Sequence, residues 1–301
     1  MTPPPILISV VIPTYNYAHY LPRGLDSVLS QWADDMELVI IDDGSSDNTE
    51  QLITGYMERC PSLRYIRQAN SGPAAARNLG IQLALGTYIL PLDADDELVP
   101  DAITILRAML QGAPDTDVIL GAHVSVYPDG RERIRLPTPV PAVSPRSMAY
   151  QYLLEKRISI SHSCILIRRD LLLQRPYPQT LRTGEDVPVF AFLLVTGKTV
   201  VTDHPIARIH KHPDSLRNDR GDEEELALIM VREVFASLPA ECQPLRARYE
   251  AQRYLSLFRA ALLQHDRPTA RRFYWQAMHL SALQALRWPY VRKAIRLFFK
   301  D

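Results

Sequence analysis

Cysteine is scarce in this chain. Three occur among 301 residues, Cys60, Cys164 and Cys242; odd in number and far apart, they form neither a disulfide framework nor a metal-ligand spacing. Reduced thiols in a cytoplasmic protein are expected. No apolar run reaches the roughly 18 residues that a membrane-spanning helix needs. The N-terminus, Met1-Thr2-Pro3-Pro4-Pro5, shows no basic segment followed by an apolar one, so no secretory signal is expected. No G-x-G-x-x-G follows the first strand-like run, which argues against a dinucleotide-binding fold. No fixed-period repeat marks a solenoid. Net charge is missing too, since 34 Lys and Arg balance 34 Asp and Glu.

That balance hides an asymmetry. From Cys242 to Asp301 there are twelve basic residues against three acidic ones, and residues 1–241 carry the compensating acidic excess. A basic tail on an acidic body invites an anionic partner. The acidic body and the absence of a recognised nucleic-acid-binding module argue against nucleic acid. Apolar residues make up 47% and charged residues 23%, an ordinary globular balance. The length suits one large or two modest domains.

Strand and helix signals alternate through the first third. Residues 6–12 and 37–41 are continuous apolar runs, the pattern of strands covered on both faces; residues 63–67 and 87–92 read as two more strands. Between them, residues 19–31, about 47–59 and 74–85 carry helical signals, and a further helix is expected over 101–111. This βαβαβαβ rhythm predicts an α/β fold, an open, mostly parallel sheet with helices on both faces. In such sheets ligands bind beyond the carboxyl ends of the strands. The polar clusters fall there: Pro13-Thr14-Tyr15-Asn16, Asp42-Asp43-Gly44-Ser45 and Asp93-Ala94-Asp95-Asp96. The last places three carboxylates within four residues. Such crowding calls for a counter-charge, and a divalent cation held through oxygen is the simplest one. A solvated acidic turn is the plainer alternative.

Four segments together resemble the successive signatures of family 2 glycosyltransferases. They are Val10-Val11-Ile12-Pro13-Thr14-Tyr15-Asn16, Ile41-Asp42-Asp43-Gly44-Ser45-Ser46-Asp47-Asn48-Thr49, Gly72-Pro73-Ala74-Ala75-Ala76-Arg77-Asn78 and Leu92-Asp93-Ala94-Asp95-Asp96. Each is weak alone; their order and spacing also match, over about residues 6–215. The resemblance implies the GT-A fold and inverting transfer of a sugar from a nucleoside diphosphate donor, most often a UDP-sugar, with Mn2+ or Mg2+. It implies that Tyr15, with the backbone near Pro13 and Thr14, lies against the nucleobase, and that Asp42 accepts its imide N–H. A turn carboxylate bonding backbone N–H groups is the alternative role for Asp42. Arg77 is expected at the diphosphate or base, where a guanidinium makes bidentate contacts, or else in a surface salt bridge. Asp93 is expected near the ribose and metal, Asp95 as the direct metal ligand, and Asp96 as support.

The second half is expected to serve the acceptor. Residues 112–145 are proline-rich and poorly periodic, and residues 160–167 read as a strand. Arg182-Thr183-Gly184-Glu185-Asp186 precedes an apolar helical stretch over 187–195. Asp186 suits a helix N-cap; by resemblance to the family's Glu-Asp motif it is the general base, preferred over Glu185. A late Arg208-Ile209-His210 segment followed by Ser215 resembles the family's R-x-H…S pattern, with His210 expected at the metal or diphosphate and His212 a weaker candidate.

Residues 1–219 are therefore expected as the glycosyltransferase domain, with 1–111 binding the nucleotide sugar and 112–219 supplying the acceptor side and base. Residues 220–301 are expected as a basic helical region. Its last stretch, 289–299, places Val291, Ala294, Ile295 and Phe298 on one face, with Arg292, Lys293, Arg296 and Lys300 largely on the other. Such a helix either lies on an anionic membrane surface or docks its apolar face on the protein. The expected partners are a nucleotide-sugar donor, a saccharide or glycolipid acceptor and this possible membrane surface. The setting expected by analogy is bacterial surface polysaccharide or glycolipid assembly, at the cytoplasmic face of the inner membrane. A non-catalytic sugar-nucleotide-binding module or a nucleotidyltransferase would share parts of the pattern. The second would need a Gly-rich basic loop where Pro13-Thr14-Tyr15-Asn16 stands.

Overall fold

Continuous apolar runs do become the centre of a sheet. The computed structural model describes residues 5–60, 62–181, 183–212 and 223–299; Arg182 and Ser215 of the motifs above, with Lys300 and the side chain of Phe298, lie outside the description. The strands are β1 (Ile8–Thr14), β2 (Met36–Asp42), β3 (Leu63–Arg67), β4 (Tyr88–Pro91), β5 (Glu97–Leu98), β6 (Val118–Val126), β7 (Glu132–Arg135), β8 (Ile165–Arg168) and β9 (Thr199–His210). Their order is β3-β2-β1-β4-β8-β6-β9-β5, with β7 paired to β6. The first four strands are parallel. Beyond β4, antiparallel pairs dominate and β6 with β9 is parallel. Every residue of β2 is buried, as a central parallel strand requires.

Helices α1 (Leu21–Leu29), α2 (Thr49–Arg59), α3 (Pro73–Leu83) and α4 (Ala102–Gly112) connect the parallel strands or follow them. Pro73 opens α3, where its missing N–H is no loss. Gly80 lets that helix approach the sheet: a Cβ there would lie 2.4 Å from Val11 Cγ1. Gly80→Ala is therefore expected to lower stability by about 1–3 kcal/mol through overpacking, read as a lower urea midpoint at unchanged slope.

Register fixes where the polar clusters meet. Thr14 pairs with Asp42 and Val11 with Pro91. The end of β2 therefore lies beside the end of β1, and the chain leaving β4 passes Pro13 and Thr14. A bulge in the β6–β9 pairing, between Gly121 and His123, accommodates Pro205 inside β9. Past it, Arg208 pairs with Glu97 of β5.

The chain divides into two units, Met1–Ala142 with Ile158–Arg217 and Val143–Arg157 with Asn218–Asp301. The first contains the sheet, α1 to α4, α6 (Arg169–Leu173) and α7 (Asp186–Thr196). The second contains α5 (Pro145–Ala149), a π-helical turn over 150–155, α8 (Glu223–Ala236), α9 (Arg246–Leu263), α10 (Arg267–Leu280), α11 (Ala282–Ala285) and α12 (Trp288–Phe299). Residues 143–157, expected within the acceptor half, group instead with these helices. Gln252 of α9 donates to the Leu154 carbonyl at 3.0 Å, and Leu153 and Leu154 are buried. Asp266 caps α10, accepting from the Thr269 N–H at 3.1 Å. The core of the second unit includes Leu255, Phe258, Phe273, Tyr274, Ala294 and Leu297.

Candidate active site

A cavity of about 570 Å³ opens where the strand ends meet, a size suited to a small ligand. Pro13, Thr14 and Tyr15 line it from β1, Asp43 from the end of β2 and Arg77 from α3. Asp93 and Asp95 line it after β4, and Glu185 and Asp186 at the start of α7. Tyr15 is 47% exposed, free to lie against a planar group. The Thr14 hydroxyl oxygen is buried with no hydrogen-bond partner among the described residues.

The two aspartates after β2 part company. Asp42, expected to receive a base N–H, is fully buried and does not line the cavity. One of its oxygens accepts from the Ser45 N–H at 2.8 Å and the other from the Tyr65 hydroxyl at 2.7 Å. It holds the turn, the alternative role that its sequence context allowed. Asp43 takes the cavity wall, fixed by bonds from Gln68 Nε2 at 2.6 Å and from the Ser71 and Gly72 N–H groups at 2.9 and 2.8 Å.

Arg77 is the electrostatic centre. It is 8% exposed, and its guanidinium forks: Nη1 donates to Glu185 at 2.6 Å and Nη2 to Asp93 at 2.9 Å. The two carboxylates hold it fully charged against the cost of its burial. The next residue, Asn78, brackets Tyr177 with two backbone bonds, both 2.8 Å. Helix α3 thus grips the loop that leads to Asp186 at two points. From sequence, Arg77 was expected at the donor or in a surface salt bridge, Glu185 only as the less favoured base, and Asn78 had no role.

Asp186 is the first residue of α7, and Glu185 occupies the N-cap without a side-chain cap bond. Among the described residues, no other residue donates to the Asp186 carboxylate. Burial first, then the Glu185 charge, pushes its pKa up, while Arg77 opposes them. A desolvated carboxylate facing a cavity, with its pKa raised, is suited to take a proton.

The three acids after β4 also separate. Asp96 turns inward, where it receives the Ser163 hydroxyl at 2.5 Å and the His210 N–H at 3.0 Å. Burial, then Asp93 and Asp95, raise its pKa. It thereby ties the segment after β4 to Ser163 and to the end of β9. Asp95 Oδ2 lies 2.6 Å from His212 Nε2. His210, expected at the metal, instead puts Nε2 3.0 Å from Glu97. The chain leaves β9 after His210, so the alternation of a strand does not govern where His212 points. His212 Nδ1 is buried without a partner among the described residues. Arg208 pairs with Glu97 and Glu132, away from the cavity wall.

These residues fit a divalent cation that shares its shell with a ligand. Among the described residues no group of three or more Asp, Glu, His or Cys side chains could hold a metal. The Asp95 carboxylate and the His212 imidazole in contact supply part of a shell, and cations such as Mg2+ are usually bound with substrate phosphates completing it.

The chain is similar to known proteins in sequence and in fold. The sequence model of the family described as Glycosyl transferase family 2 matches residues 9–175. An uncharacterized glycosyltransferase of Nostoc is 40% identical over 127 residues, 42% of this chain and 38% of that protein. The chondroitin synthase of Pasteurella multocida is 37% identical over 124 residues, 41% of this chain and 13% of that protein. The chain thus covers well under half the length of these curated relatives. Among solved structures, S. aureus TarS in complex with UDP-GlcNAc superposes with a TM-score of 0.71 at 21% identity, covering 91% of this chain and 81% of that one. The mannosyltransferase PcManGT of Pyrobaculum calidifontis, in complex with GDP-Man and Mn2+, gives 0.56 at 18% identity, covering 96% and 83%. At these identities the likeness concerns the fold, which is GT-A.

Proposed function

Because this chain belongs to glycosyltransferase family 2, we propose that it moves a sugar from a nucleoside diphosphate donor, a UDP-sugar, to an acceptor hydroxyl by a single inverting displacement. One observation carries the reading: Asp93, Asp95 and the raised carboxylate of Asp186 line a single cavity. The uracil lies against Tyr15 with the backbone of Pro13 and Thr14, and Asp43 accepts its imide N–H, as an ionised carboxylate can. Asp95 and His212, with Asp93 lining the same cavity as Asp95, would hold Mn2+ or Mg2+. When bound, the cation supplies Lewis-acid stabilisation to the charge that the departing diphosphate gains. Asp186 takes the proton of the acceptor hydroxyl as that oxygen attacks the anomeric carbon.

A saccharide or glycolipid hydroxyl suits the acceptor side. The relatives and neighbours that support this reading include a chondroitin synthase and a protein crystallised with UDP-GlcNAc. Surface polysaccharide or glycolipid assembly at the cytoplasmic face of a membrane is the setting we propose. A panel of nucleotide sugars with and without Mn2+ tests it, read by thermal stabilisation and by release of the nucleotide. At a concentration a hundred times its Kd, the right donor adds about 2.7 kcal/mol of apparent stability. Asp95→Asn is expected to abolish the Mn2+-dependent part of that gain. No stabilisation by any UDP-sugar would reject the donor class, and full Mn2+ dependence in the variant would reject the metal assignment.

A further inference from the structure

Helix α12 is docked by one face and loaded on the other. Ala294 and Leu297 are buried in the core of the second unit, and the Leu297 carbonyl accepts from Arg267 and Arg271. This differs from the stripe expected from sequence, because Ile295 is 49% exposed. At 100° per residue, Trp288, Arg292, Ile295 and Arg296 fall within about 100° of one another, and all four are exposed. Trp288 is 70% exposed, and Leu283 and Leu286, just before the helix, are 71% and 59% exposed. An apolar group of this kind interleaved with arginines is not ordinary solvated surface.

The cations around it are uncompensated. Burial first, then Arg259 and Arg292, hold the Lys293 amine below its usual value. Lys156 is lowered in the same way by burial, Arg253 and Arg259. Among the described residues, none of these five side chains is in an ion pair with an acid. Positive charge has accumulated here in spite of its self-repulsion.

We propose that this face of the second unit binds a membrane surface carrying acidic phospholipids. The lipid headgroups meet the arginine and lysine cluster, while Trp288, Ile295 and Leu286 enter the headgroup boundary, where an aromatic ring with a polar edge is at home. A nucleic acid would satisfy the cations but give exposed Ile295, Leu283 and Leu286 nothing to bury against. The helix lies flat: twelve residues rise only about 18 Å, short of the roughly 30 Å hydrocarbon core. No helix among the described residues is long and apolar enough to cross a membrane.

Co-sedimentation of the full chain with vesicles tests this, and its outcome is independent of any sugar transfer. The protein is expected to pellet with vesicles of phosphatidylcholine and phosphatidylglycerol and to stay in solution with phosphatidylcholine alone. Each basic residue near such a surface is worth about fivefold in partitioning, so Arg292→Glu with Arg296→Glu is expected to lower it at least 25-fold. Trp288→Ser with Ile295→Ser is expected to lower it about tenfold. All four side chains are exposed, so unchanged melting temperatures are expected to show that the variants fold. Equal partitioning onto neutral vesicles, no binding to either, or wild-type binding in either double variant would overturn the proposal. So would RNA binding tighter than binding to the acidic vesicles.

Discussion

Asp186→Asn is expected to lower the rate of sugar transfer by about 10²–10⁴-fold while leaving UDP affinity in the presence of Mn2+ nearly unchanged. The substitution keeps the shape of the side chain and removes its capacity to accept a proton. A second readout separates a base from a structural residue. Burial and Glu185 raise the pKa of Asp186 in the folded protein, so its charged form is disfavoured by folding. For such a group, stability is fully present below the unfolded pKa and is lost as pH rises through the folded one. At neutral pH Asp186 is thus a net cost to the fold, and Asn removes that cost. Urea denaturation should find the variant no less stable than wild type. The rate moves in the opposite sense: the base acts only when deprotonated, so wild-type activity rises with pH through an acidic limb displaced upward from that of an ordinary aspartate. A variant with full activity, or with the same acidic limb, would remove Asp186 from the chemistry.

How far the sequence could carry these conclusions depends on distance along the chain. Strands β1 to β4 were legible because a buried parallel strand needs a continuous apolar run, and their ends located the cavity. Strand β6 was not. Val118–Val126 is apolar and partly β-branched, but Gly121 and His123 interrupt it within a proline-rich stretch. The glycine is there for packing: a Cβ on Gly121 would lie 2.2 Å from Ile206 Cγ1 of β9, a partner some eighty residues away that no local pattern names. Neighbouring acids posed a related difficulty. Asp42 and Asp43 are both plausible at a strand end, and only the turn geometry sends the first inward to Ser45 and Tyr65. His210 and His212 lie on either side of the end of β9, where strand alternation ceases to apply. The pairing of Arg77 with Glu185 spans 108 positions. A Glu-Asp pair signals a base, and nothing in it signals that the glutamate belongs to an arginine on α3.

That pairing yields the other large expected effect. Arg77→Met should lower stability by about 3–5 kcal/mol, the usual consequence of breaking a buried ion pair. Glu185 is 8% exposed and would be left as a buried charge beside Asp186 without its arginine, and the Arg77 bond to Asp93 would be lost as well. Stability of about 5–15 kcal/mol is typical of a whole domain, so loss of soluble protein from the single variant is within range. The double variant Arg77→Met with Glu185→Gln separates charge from packing. Removing the stranded carboxylate should recover part of the loss, giving a coupling energy of about 0.5–3 kcal/mol between the two positions. Lysine at position 77 keeps the charge but cannot fork to both acids, so Arg77→Lys should fall between wild type and methionine. Activity supplies a further readout. Arg77 is the charge that restrains the pKa of Asp186, so its loss should move the acidic limb of the rate profile to higher pH. Additive losses in the double variant, with an unmoved limb, would reduce Arg77 to a packing residue and separate the donor aspartates from the base.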